Sequence, residues 1–163
     1  MPVPIQPRVP DELTRGPFTV AEALRAGLSR RQLQGRSWQR VGNGLYAWAG
    51  IVRDPQCVLD ALSRRLPPAA AFSGPTAGWL HGLDLELCQP VEVTVPLGCS
   101  VPTRVGVSVR RGVLRGCDVV ERRGAPTTSP NRTVFDLARH LPSVEALVAV
   151  DMALQGNLVG WTA

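Results

Sequence analysis

Two capping boxes ten residues apart, Thr19-Val20-Ala21-Glu22 and Ser29-Arg30-Arg31-Gln32, constrain this chain more than any other feature. In each box a hydroxyl covers orphan N–H groups at a helix start, and the residue three places on reaches back to the cap. The first helix is expected to bury Ala21, Leu24 and Leu28 and to end at Ala26-Gly27, where glycine can take the left-handed exit conformation. Leu28 and Leu33 have the spacing of a hydrophobic staple across the second start. Two capped helices around a glycine turn predict a helix-turn-helix.

The second helix would carry Arg30, Arg31 and Gln34 outward, with Leu33 alone facing the core. Next, Ser37 to Val41 and Leu45 to Trp48 flank Gly42-Asn43-Gly44, a strong signal for a hairpin with a primed turn. That hairpin would be a wing. In this reading Arg30, Arg31 and Gln34 enter a major groove, while Arg36, Arg40 and Asn43 hold backbone or minor groove. Arginines on a short amphipathic helix also serve simply as a solvated face, and helix-turn-helix units also bind proteins.

Phe18-Thr19, Ala26 to Leu33 and Trp38 to Tyr46 resemble the N-terminal winged-helix domain of the AbiEi-type antitoxin family. The resemblance continues through Ser73 to Leu83 and Pro126 to Ala138. It implies an antitoxin of the kind common in actinobacteria, whose winged helix represses its own toxin-antitoxin operon while the following domain counters a nucleotidyltransferase-like toxin. Similar proteins continue into a Vsr-like endonuclease domain. The chain departs from the pattern twice. Residues 1–17 hold five prolines, at 2, 4, 7, 10 and 17, in place of a long first helix, leaving room for one turn around Asp11 to Arg15. It also stops at Ala163 soon after a predicted helix, as a short or truncated member would.

Composition narrows the chemistry. The net charge is +5 with a pI near 9.8, which favours an acidic partner without proving one. All 18 basic residues are arginine, so chemistry that needs a lysine amine is excluded, including the Glu-x-Lys of restriction-type nuclease cores. The Gly-Ser…Asp-x-Asp signature of nucleotidyltransferases is absent too. Cys57, Cys88, Cys99 and Cys117 show no zinc spacing and read as small buried hydrophobes, with a Cys88–Cys99 contact the remaining alternative. No catalytic residues, metal or cofactor are expected. No stretch suits a bilayer or a secretory signal, and a cytoplasmic location is expected.

Beyond the hairpin, Asp54-Pro55 should open a helix to Leu66 with Val58, Leu59 and Leu62 inward and Asp60, Arg64 and Arg65 in water. It either braces the winged helix or belongs to the second domain. A strand at Ala69 to Phe72 and a brief helix from Ser73-Gly74-Pro75 to His81 come next. His81 with Ser73 and Asp84 could form a triad, but a structural histidine is the stronger reading. Val91 to Val95, Arg104 to Arg110 and Val119 to Arg122 read as strands. Arg104, Arg110, Arg111, Arg115, Arg122 and Arg123 form a second basic cluster that could track phosphates, touch RNA or keep the domain soluble. Ser129-Pro130 starts a helix with Asp136 and Arg139 on its polar side, and a last helix from Ser143 is apolar on more than one side.

The fold class is therefore α+β: a Pro-rich segment 1–17, a winged helix-turn-helix 18–52, and a small domain 53–163 with a mostly antiparallel sheet covered by helices. The leading function is a non-enzymatic, DNA-binding antitoxin-like repressor acting on its own operator, as a homodimer or paired at repeats. The alternatives are a catalytically inactive accessory or remnant of a Vsr-like endonuclease protein, and a protein-interaction module without DNA binding.

Overall fold

A computed structural model describes residues 9–42, 44–51, 54–87, 90–101 and 107–160. The N-terminal part is a three-stranded antiparallel sheet in the order β1-β3-β2, built from β1 (Phe18–Thr19), β2 (Trp38–Gly42) and β3 (Leu45–Trp48). Helix α1 (Val20–Arg25) leaves β1 directly, and a 3-10 turn at Gln32–Gln34 packs against β2. A second 3-10 turn, Asp11–Leu13, gives the Pro-rich start its one piece of structure and buries Leu13.

Strand alternation makes this small sheet two-faced. Phe18, Tyr46 and Trp38 lie on one face, where Phe18 meets Trp38 edge-on at 5.2 Å and joins Leu13, Ala23, Leu28 and Leu33 in a small core. Val41, Leu45 and Ala47 turn the other way. They share a second core with Val58, Leu59 and Leu62 of α2 (Pro55–Ser63) and with Phe72, Leu80, Val91, Val93 and Ala125. Helix α2 thus answers both sequence alternatives at once, packing on the hairpin and on the C-terminal sheet. Leu59 and Leu62 are 0% and 1% exposed, each contributing about 1.5–3 kcal/mol by leaving water.

The C-terminal sheet has five strands in the order β6-β5-β4-β8-β7: β4 (Ala71–Phe72), β5 (Val91–Val95), β6 (Val107–Arg111), β7 (Val119–Arg122) and β8 (Ala125–Thr128). It is mixed, not mostly antiparallel. β4–β5 and β7–β8 run antiparallel, whereas β5–β6 and β4–β8 run parallel. The reason is chain length between partners. A tight hairpin forces antiparallel pairing, as at Arg123-Gly124 between β7 and β8, but the longer stretches of chain separating β5 from β6 and β4 from β8 let those pairs run parallel. Of the strand expected at 104–110, residues 107–110 fall within the described residues, and β6 runs one residue further to Arg111.

Helices α3 (Gly74–Leu80) and α4 (Pro130–His140) each follow a member of the parallel pair β4–β8, and α5 (Ser143–Gln155) packs on α4. Leu83, Leu137, Ala149 and Ala153 form the third core there. Asp54 and Ser129 cap α2 and α4 with proline at the first helical position, as expected. Gly82, just past the end of α3, has φ 91°, a left-handed helix exit.

Candidate nucleic-acid interface

The N-terminal geometry begins at Thr19. Its Oγ accepts from the Glu22 N–H at 3.2 Å while its own N–H donates to Glu22 Oε2 at 2.6 Å, a closed capping box. Arg65, beyond α2, donates to the same carboxylate at 3.2 Å, tying the start of α1 to the brace beneath it. Burial pushes the Glu22 carboxyl up, but the Thr19 hydrogen bonds and the Arg65 charge outweigh it and hold the group below its ordinary range.

The exit of α1 is equally determined. The Leu28 N–H donates to Ala23 O and the Gly27 N–H to Leu24 O, with Gly27 at φ 84°, a Schellman motif that drops Leu28 into the core. The buried face differs from expectation: Ala23 is fully buried, whereas Ala21 is exposed and Leu24 is 47% exposed. β1 sets the rotation of the helix that leaves it, and that rotation turns Ala23 into the small core.

Ser29 and Gln32 close the second box, with the Ser29 N–H on Gln32 Oε1 at 2.7 Å and the Gln32 N–H on Ser29 Oγ at 3.3 Å. No full helix follows. The segment makes a single 3-10 turn, because one apolar anchor, Leu33, and a strand that begins at Trp38 leave neither the length nor the burial that propagation needs. Arg30, Arg31, Gln34 and Arg36 are all exposed on or beside this turn. Arg40, also exposed, stands cross-strand from Tyr46 on the Trp38 face of the sheet. Five of the six sequence-predicted site residues are thus solvent-facing on one continuous stretch. Asn43 lies outside the described residues, although Gly44 beside it has φ 68°.

The C-terminal part is organised differently, around buried polar side chains. Thr94 Oγ1 donates to Ser73 Oγ at 2.8 Å, Thr76 Oγ1 accepts from the Glu92 N–H at 3.0 Å, and Thr133 Oγ1 donates to Thr128 O at 2.9 Å. Asp136, expected on the polar side of its helix, is only 5% exposed. It accepts from Arg132 Nε at 3.0 Å on both oxygens, and Arg132 also donates to Val113 O at 2.9 Å. This lattice welds the starts of α3 and α4 to β4, β5 and β8. Residues 69–160, more than half of the chain, match the AbiEi antitoxin C-terminal domain. The chain belongs to the AbiEi antitoxin family.

Within the antitoxin domain the structural reading of His81 holds and no triad with Ser73 forms. Ser73 is spoken for by Thr94, and His81 turns instead to Thr128 O, 2.7 Å from Nε2. A carbonyl can only accept, so Nε2 carries the proton and Nδ1 accepts from Arg122 Nε at 3.3 Å. Burial, and then the Arg122 charge, lower the histidine's pKa against the opposing pull of Thr128. His81 is a neutral clasp between the end of α3 and the end of β8.

The second basic cluster is divided rather than continuous. Arg110 pairs with Glu92 at 3.2 Å, Arg122 with His81, and Arg123 lies 4.7 Å over the Trp79 ring. Arg104 lies outside the described residues. The cysteines are less buried than expected: Cys57 and Cys99 are half-buried and Cys117 is exposed, and Cys57 serves the α2 cap by donating to Asp54 Oδ2. That contact pushes the Cys57 thiol up from its ordinary value. Cys88, and with it the Cys88–Cys99 contact, lies outside the described residues.

Among solved structures, the crystal structure of the RV2827C protein from Mycobacterium tuberculosis is 17% identical, with a TM-score of 0.42 over 78% of this chain. The chain spans 56% of that structure's length. None of the curated proteins matches it. The matched family is one of antitoxins. Among the described residues no helix is long and apolar enough to cross a membrane.

Proposed function

We propose that this chain is a DNA-binding antitoxin that represses its own operon and counters a nucleotidyltransferase-like toxin. Residues 18–52 act as a reduced winged helix, in which the turn Ser29 to Gln34 takes the place of a recognition helix and the β2–β3 hairpin is the wing. The observation that carries this reading is the shared exposure of Arg30, Arg31, Gln34, Arg36 and Arg40 on a turn and strand fixed from behind by Leu33 and Trp38. A short turn reaches base edges with few side chains. Arginine to guanine and glutamine to adenine are its natural pairings, each worth about 1–3 kcal/mol of discrimination. Few phosphate contacts per copy favour two copies on two half-sites, so we assign the bound form as a homodimer.

A protein-interaction role is supported by a separate observation. Helix α5 exposes Val144, Leu147 and Val148 beside Glu145 and Asp151, and it carries no arginine in a chain otherwise rich in them. Such a surface suits a protein, the toxin, better than phosphate.

Fluorescence anisotropy on the chain's own upstream DNA against scrambled DNA, across a salt series, tests the repressor reading. Native DNA is expected to bind more tightly, with affinity falling steeply as salt rises and dropping about tenfold or more in Arg31→Ala. Equal and feeble binding to both DNAs would leave only the protein-interaction role.

A further inference from the structure

The operator reading leaves unused a groove in the antitoxin domain between α4 and the end of β6. Its volume is about 420 Å³, within the range of sites that enclose one small ligand. Arg132, Phe135, Asp136, Arg139 and His140 recur along it at helical spacing, so one face of α4 forms a wall, while Arg110, Arg111 and Val113 form the other. Four arginines against a single carboxylate line it.

Two kinds of arginine are present. Arg110 and Arg132 are committed, the first to Glu92 and the second to Asp136, Asp118 and Val113 O, so they hold the walls in place. Arg111 and Arg139 line the groove and make no ion pair among the described residues. Phe135 lines the same groove, is 58% exposed and belongs to none of the three core clusters, so nothing in the core requires its phenyl ring.

We propose that this groove binds a single-stranded nucleic-acid segment, with an unpaired base stacked on Phe135 and the flanking phosphates on Arg111 and Arg139. A cationic groove with an exposed aromatic is how sequence-tolerant single-strand sites are built, since every base has a ring face and every nucleotide a phosphate. A duplex cannot use the phenyl ring, because its base faces are covered by their neighbours. The paired arginines keep the groove open without ligand, and the two uncommitted ones supply the charge that a strand neutralises.

The test uses the full chain and a labelled strand of about 12 nucleotides, offered as RNA, as DNA and as duplex DNA of the same sequence. Single strands are expected to bind better than duplex, and Phe135→Ala to weaken them roughly 5- to 100-fold. Phe135→Tyr keeps the ring and should restore binding, and Arg111→Ala with Arg139→Ala should flatten the salt dependence. Phe135 is exposed, so its loss leaves the fold intact, which circular dichroism verifies. Tighter binding of the RNA arm names RNA as the source, and equal or tighter DNA binding names DNA. The operator arm keeps the two sites apart: Phe135→Ala leaves it unchanged, and Arg31→Ala weakens it without touching single-strand affinity. Single strands that bind no better than duplex, or a Phe135→Ala variant that binds them as the wild type does, would overturn the proposal.

Discussion

The two halves of this chain spend their polar residues in opposite ways. In the N-terminal part they pair with neighbours three positions away, Thr19 with Glu22 and Ser29 with Gln32, at partly or fully exposed helix starts. In the antitoxin domain several are buried, and Ser73 with Thr94 and Thr76 with the Glu92 N–H join elements 21 and 16 positions apart. All seven buried polar side chains among the described residues, Ser73, Thr76, Thr94, Thr127, Thr128, Thr133 and Asp136, belong to it. Local pairs shape a backbone but leave it adjustable at the surface. A buried lattice fixes which strand lies beside which, since each partner lost costs a full desolvation penalty.

The largest consequence concerns two carboxylates that each hold an arginine near a helix start. Asp136, with side-chain exposure of 6%, meets Arg132; Glu22, with 33%, meets Arg65. Asp136→Ala takes from Arg132 its buried partner, leaving it only Asp118 and Val113 O, and is expected to cost about 3 kcal/mol in urea unfolding. Glu22→Ala breaks a solvent-screened pair and half of a capping box, for about 1 kcal/mol. Equal losses would mean that burial does not separate the two regions.

The same contrast decides what the sequence could reveal. Both capping boxes, the Gly27 exit and the hairpin strands were legible because each is a short-range pattern with its own chemistry. The extent of the second helix was not, since a cap marks a start and says nothing of how far Leu33 alone can carry it. In the antitoxin domain the proline-first helices at Pro55 and Pro130 were legible for the same local reason. β8 went unread: Ala125-Pro126-Thr127-Thr128 has no apolar alternation, and its parallel partner Phe72 lies more than fifty positions earlier. The buried role of Asp136 was hidden likewise, because Asp four residues after Arg on a helix usually marks a wet face. A usable signal was the threonine clustered at each strand-to-helix junction, Thr76 after Ser73 and Thr133 after Thr128.

Two glycines with positive φ sharpen the comparison at smaller scale. At Gly27 (φ 84°) a Cβ would meet nothing within 4 Å, so Gly27→Ala should cost only the left-handed backbone penalty, about 1 kcal/mol. At Gly74 (φ 55°) the same atom would stand 2.5 Å from Glu92 Oε2, which Arg110 holds in place. Gly74→Ala is therefore expected to lose about 2 kcal/mol or more in thermal unfolding. If Gly27→Ala proved the costlier change, the N-terminal turn would be the more tightly specified of the two.

The smallest effect is a matter of pH, and its sign follows from proton uptake. The folded His81 pKa lies below the ordinary 6.5, so on acidification the unfolded chain takes the proton first. Stability is complete above about 6.5 and is lost as pH falls from there through the lowered folded value, where a proton on Nδ1 would face the Arg122 donor. Glu22 is also lowered, from 4.5, so its contribution persists to more acid conditions and goes only as pH falls through its own folded value. Acid should therefore loosen the clasp between α3 and β8 before it opens the capping box of α1. Amide exchange at pH 7.5, 5.5 and 4 would resolve the order, and His81→Gln should abolish the first step while leaving the second. Were the box to open first, the neutral histidine would have no part in holding the antitoxin domain closed.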